Sequence, residues 1–140
     1  MNTSVIRRSL AAVALLMASP LLSPTTALAQ ASTDKPTPAT PMEVNTYGVM
    51  SIATFCEARA QSIDFSKSLA VALAGQLHVI YGKHGGLLPG SSTPLPEKQF
   101  LNNAGFMIVG GALKFCPKSV PAAEKERFEK AAASLKSTKK

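Results

Sequence analysis

Phe100 to Pro117 reads FLNNAGFMIVGGALKFCP, the most apolar run outside the N-terminus, and it closes on Cys116, one of only two cysteines in the chain. The other, Cys56, stands in a second apolar run ending Ile52-Ala53-Thr54-Phe55-Cys56. The pattern predicts two helices stapled to each other by Cys56–Cys116, with the rest of the chain packed around them. Within the first stretch Leu101, Ala104, Ile108, Gly111 and Phe115 fall on one line and Phe106, Val109, Leu113 and Cys116 on the next, at helical spacing from about Pro96 to Phe115. A rival reading makes Phe106–Val109 and Ala112–Phe115 two strands turned by Gly110-Gly111. An isolated hairpin amid helices has nothing to pair with, and glycine inside a helix costs only about 1 kcal/mol relative to alanine while letting a neighbour approach closely.

Working outward, three further helices are expected. The first spans about Asn45 to Gln61, with Val49, Ile52, Cys56, Ala60 and then Ile63 on one face, Phe55 widening it, and Glu57, Arg59 and Gln61 on the wet side. The second runs from Phe65 to about Gly82, capped by Asp64 and closed by Gly82, Gly85 and Gly86. Its stripe is Leu69, Leu73, Leu77 and Ile80, flanked by Val71, Ala74, His78 and Tyr81, so broad a face that more than one side is covered. Leu87 to Pro96 is loop chemistry, rich in proline, glycine and serine. The fourth helix spans about Val120 to Lys136, with Pro121 just inside its start, Phe128, Ala131 and Leu135 as its buried stripe, and Glu126 and Lys130 paired on its wet side. If Cys56 and Cys116 are bonded, the C-terminal ends of helices one and three coincide. Helices two and four then start from that end and run back. The expected fold is all-α, one small up-down-up-down four-helix bundle over residues 44–136.

The ends of the chain carry other signals. Arg7-Arg8, the apolar Leu10–Leu22 and the small-x-small Ala27-Leu28-Ala29 predict a secretory signal peptide over residues 1–29; the alternative is a retained membrane anchor, for which the apolar run is short. Gln30 to Pro41 lacks large apolar side chains and holds three prolines, so residues 30–43 are expected to be a disordered spacer. Residues 137–140 make a frayed basic tail. These features place the protein outside the cytoplasm, in periplasm, thylakoid lumen or the extracellular space. There two cysteines form a disulfide, and closing the long loop between them restricts the unfolded chain by roughly 4 kcal/mol. Two buried free thiols are the alternative.

Composition bounds function. A chain of 140 residues, 46% hydrophobic and 16% charged, builds one domain and hardly two. Removing the leader leaves thirteen basic against eight acidic residues, a net charge of +5, which favours anionic surroundings without choosing among them. Basic residues are dispersed, so nucleic acid is not an expected partner. His78 and His84 are the only histidines, and their spacing of six does not share a helix face. No metal site and no cofactor are expected. No phosphate loop, C-x-x-C, H-E-x-x-H or G-x-S-x-G is present, and no catalytic residue stands out. Tyr81-Gly82-Lys83-His84-Gly85-Gly86 is a basic, glycine-flanked turn in which Lys83, His84, Gly85 and Gly86 could offer donors to an anion; a helix stop with solvated Lys and His is the alternative. Broad apolar helices also permit a lipid or other hydrophobic ligand between them, against the alternative of an ordinary core.

The spacing of Phe55-Cys56, the Tyr81–Gly86 turn and Phe115-Cys116-Pro117-Lys118-Ser119-Val120-Pro121 resembles small, uncharacterised secreted helical proteins of cyanobacteria, over roughly Thr46 to Leu135. Some of these carry the label class-II cyclic-AMP phosphodiesterase, which implies a two-metal hydrolase with an H-x-H-x-D-H motif. This chain has too few histidines to hold that motif. In architecture it also resembles helical periplasmic acid-stress chaperones with one disulfide. The reading that follows is an exported, non-enzymatic helical binding protein without a stable membrane anchor, its partner a protein or anionic surface. A phosphodiesterase-type hydrolase, or a chaperone or hydrophobic-ligand carrier, are the alternatives.

Overall fold

Helix starts in this chain are set by side chains that satisfy the first free amides. Thr40 Oγ1 accepts from the Glu43 amide (3.2 Å) and Glu43 Oε2 accepts from the Thr40 amide (2.9 Å), a reciprocal capping box with Pro41 in the first helical turn. This opens α1, Pro41–Ala60. Asp64 Oδ1 accepts from the Lys67 amide (2.9 Å) and opens α2, Phe65–His84. The computed structural model describes residues 35–137, and two more helices complete it: α3, Glu97–Phe115, and α4, Ala122–Ser137, after a short 3-10 turn at Pro117–Ser119. No strand occurs among the described residues. The signal peptide expected at 1–29, spacer residues 30–34 and residues 138–140 lie outside the described residues.

The up-down-up-down order holds. Cys56 and Cys116 are joined, their Cα atoms 6.0 Å apart, which sets the C-terminal ends of α1 and α3 side by side. Arg59, expected on the wet side, reinforces this pole: its Nε donates to Ser119 O (2.8 Å) and its Nη1 to Ile63 O (2.6 Å), tying the two turns together. α4 returns along α3, with the rings of Phe128 and Phe106 stacked at 4.5 Å between centroids. At the other pole the 85–96 loop meets the segment before α1, the Ala39 amide donating to Leu87 O (3.0 Å).

Several expectations are corrected. Residues 41–43, given to the spacer, form the first turn of α1, and Ala39 before them is buried. The prolines suggested a spacer, but Thr40-Pro41-Met42-Glu43 is a helix start. Gly82 lies inside α2; the stop is Gly85 in the left-handed region (φ 59°). Gly110 and Gly111 are helical, so the hairpin alternative falls.

The buried face of α1 turns on Ser51 and Phe55, while Val49 and Ile63 are exposed. On α2 the fully covered line is Ser68, Ala72, Gln76, Ile80 and His84, with Leu69, Leu73 and Leu77 half-buried beside it. Small side chains there allow α1 and α3 to close over the helix, and Ser68 answers its own polarity by donating to Asp64 O (2.8 Å). The expected buried stripe of α4 is not buried: Phe128 is half-covered, Ala131 and Leu135 are exposed. α4 leans on α3 and reaches the core that Phe55 anchors through Phe128.

Candidate functional site

The turn singled out in the sequence, Lys83 to Gly86, is assembled around an anion that the chain supplies itself. Lys83 Nζ lies 2.7 Å from Glu43 Oε1 and donates to the Tyr47 hydroxyl at 3.3 Å. His84 is buried rather than solvated, with its Nδ1 2.9 Å from Thr37 O and its Nε2 3.1 Å from the Tyr47 hydroxyl. A carbonyl only accepts, so Nδ1 carries a proton, and Glu43 Oε1 lies 3.8 Å from Nε2. The Gly85 amide donates to Tyr81 O and the Gly86 amide to Ile80 O, the double bond pattern that closes a helix C-terminus. These donors therefore hold α1, α2 and the 35–40 segment together. The polar atoms of the expected anion-binding turn are engaged internally. Glu43 responds accordingly, its carboxyl held down to about 2, first by the Lys83 ammonium and then by the Thr40 amide and hydroxyl. Lys83 is raised in turn, chiefly by Glu43.

The open chemistry lies elsewhere, between α1 and α3. The two helices run side by side in the same direction and touch closely near the disulfide. A Cβ built on Gly111 would stand 2.7 Å from Ile52 Cγ1. One turn earlier on α1 the gap has opened, and a Cβ on Gly48 would meet nothing within 4 Å. The wedge between them is a cleft of about 500 Å³. Val44, Gly48, Val49 and Ile52 form its α1 wall; Phe100, Ala104, Met107 and Ile108 form its α3 wall; Leu88 and Leu95 close it at the loop pole. Its one α2 residue is Gln76, at the back. Gln76 is nine-tenths buried, and its Oε1 has no hydrogen-bond partner. A buried unpartnered amide oxygen is destabilising, by about 1–3 kcal/mol, and such groups are uncommon enough to call for a reason.

The remaining polar residues on the cleft are Asn45 and Asn103, both exposed, and no charged residue lines it among the described residues. The sequence reading anticipated room for a hydrophobic ligand between helices but named none of these residues. One signal was available: Gln76 is a lone amide within the apolar run Leu69–Ile80. Gly48 gave none, since a glycine in a helix looks the same whether it faces a neighbour or a gap.

The model of one family, described as a domain of unknown function (DUF8650), matches residues 42–140. The chain belongs to the DUF8650 family. Neither a curated protein nor a solved structure matches it. The DUF8650 match spans all four helices, and so includes Gln76, both walls of the cleft and both cysteines; Thr37, Ala39 and the Thr40 cap precede it.

His78, the second histidine, is exposed on α2 and far in sequence from any acidic neighbour on its face. Among the described residues no three of His, Cys, Asp and Glu gather as metal ligands would, and no helix is long and apolar enough to cross a membrane. What the cleft offers chemically is an apolar bed with no charged group on its walls among the described residues.

Proposed function

We propose that this DUF8650 protein is an exported, non-enzymatic binding protein that holds a hydrophobic small molecule in the cleft between α1 and α3. The observation that carries the reading is the cleft itself, about 500 Å³ with walls almost wholly apolar. Small-molecule sites are clefts of about 300–1,000 Å³, mostly apolar, with a few placed polar groups. The export half of the proposal is supported by the leader-like N-terminus and by the Cys56–Cys116 disulfide, a bond of oxidising compartments. The anionic partner expected at Lys83–Gly86 is less well supported, because the donors of that turn already face Glu43, Tyr47 and Thr37.

The test uses N-phenylnaphthylamine, an uncharged probe that fluoresces when it leaves water. The purified protein should bind it saturably. Gly48→Phe places a ring in the cleft where no neighbouring atom stands within 4 Å, and should abolish binding with the helical circular dichroism intact. Gly82→Leu, on the exposed side of α2 and equally uncrowded, should bind as wild type does. Absence of saturable binding, or undiminished binding by Gly48→Phe, overturns the proposal.

A further inference from the structure

We infer that the cleft takes a single hydrocarbon chain of limited length, and that Ile52 is the residue that sets the limit. This rests on the cleft being the binding site, and it goes further by fixing the shape of the ligand's apolar part. Ile52 of α1 stands against Gly111 of α3. Counting back along both helices in equal steps from that pair sets Gly48 level with Met107 and Pro41 level with Phe100, and all four line the cleft. The cleft therefore runs lengthwise between the two helices from Pro41 to Ile52, eleven residues of helical rise or about 16 Å.

Both ends of this trough are shut. Leu88 and Leu95 close the loop end. At the disulfide end Ile52 Cγ1 and Cδ1 fill the space that a side chain on Gly111 would take, and one turn further on Phe55 and Ala112 are fully buried. The long side is open, with Val49 and Met107 exposed along it (53% and 67%), so a chain enters sideways and only the ends restrict its length. Spread over about 16 Å, a volume of about 500 Å³ leaves a mean cross-section of about 30 Å², room for one extended chain. Such a chain advances about 1.25 Å per carbon at tetrahedral C–C geometry, so about twelve or thirteen carbons span the trough. The terminal methyl of that chain abuts Ile52, where the wedge is narrowest.

The experiment is displacement of N-phenylnaphthylamine by the even-numbered straight-chain 1-alkanols from octanol to hexadecanol, which share one head and differ only in length. Wild-type affinity should rise about four-fold per added carbon until about twelve or thirteen carbons, then level off. Cyclododecanol, the same carbon number closed into a ring, should displace more weakly than dodecanol. Ile52→Ala withdraws about 2.5 Å of side-chain reach and should move the plateau up by about two carbons. Ile52→Val removes only Cδ1, the atom nearest Gly111; it should move the plateau by about one carbon and serves where Ile52→Ala does not fold. Each alkanol is equally soluble beside either protein, so a difference in plateau between them belongs to the cleft. Affinity that climbs undiminished through hexadecanol, a plateau at one length in wild type and variants alike, or cyclododecanol as the better competitor overturns the inference and leaves the cleft standing. Failure of the probe to bind at all instead removes the cleft as a site, and the two failures are thus told apart.

Discussion

Replacing Gly111 by alanine should destabilise the protein, although alanine is the better helix former. The Cβ that Gly111→Ala adds would lie 2.7 Å from Ile52 Cγ1 and 3.4 Å from Ile52 Cγ2, with Cδ1 closer than either. Carbon atoms rest at about 3.5–4.0 Å. Cγ1 and Cγ2 branch from the same Cβ, so no single rotation of the isoleucine withdraws both, and α1 must move off α3. Overpacking of this kind costs about 1–3 kcal/mol, against a helix-propensity gain of about 0.5–1 kcal/mol, leaving a net loss of up to about 2.5 kcal/mol, centred on about 1 kcal/mol. Gly48→Ala supplies the opposite sign on the facing helix: with nothing within 4 Å of its Cβ, it should stabilise by about 0.5–1 kcal/mol. Urea unfolding followed by circular dichroism measures both. Because Ile52 also lines the cleft, Gly111→Ala should change probe affinity as well. A Gly111→Ala protein as stable as wild type, or one that matches Gly48→Ala, would refute the close approach of α1 and α3 on which the wedge-shaped cleft depends.

Two other outcomes follow from the poles of the bundle. Cys56→Ala combined with Cys116→Ala releases a bridge spanning 60 residues and should cost about 4 kcal/mol on the loop-entropy account; a guanidinium midpoint indicating under about 1 kcal/mol would contradict the clasp. At the loop pole, the Glu43 carboxyl sits at about 2 against its usual 4.5, so folding favours its charged form. The stability this contributes is present above pH 4.5 and fades as pH falls toward 2. Glu43→Gln should flatten the stability profile over that acid range, and identical acid slopes in variant and wild type would show that the carboxylate does not hold the pole.

The helical class, α2 and α3 to within a residue or two, and the pairing of the disulfide were legible because each rests on a local signal: apolar periodicity, an aspartate cap, two cysteines. The start of α1 was equally local, in Thr40 and Glu43, but was masked by the surrounding prolines. Burial was harder to read. The line that α2 covers most completely is Ser68, Ala72, Gln76, Ile80 and His84, mostly small or polar, and hydrophobicity points instead to the leucines beside it. Leu135 carries the opposite lesson, an apolar residue at helical spacing left 56% exposed.

The candidate site was legible in part. Lys83 and His84 stand out in the sequence because they are basic and flanked by glycine, yet Glu43 and Tyr47, some forty residues earlier, turn them inward. The cleft depends on where side chains are missing. Gly48 leaves a gap and Gly111 closes one, a difference that exists only once α1 lies beside α3.

The most direct measurement is a titration of the isotope-labelled protein with N-phenylnaphthylamine, followed by nuclear magnetic resonance at the methyl groups of Val49, Ile52, Met107 and Ile108, which line the cleft. All of these signals should shift together, with one saturation curve, while those of Leu101 and Leu135 beside α4 stay in place. Shifts confined to the α4 side, or cleft methyl groups unmoved at saturating probe, would contradict a ligand seated between α1 and α3.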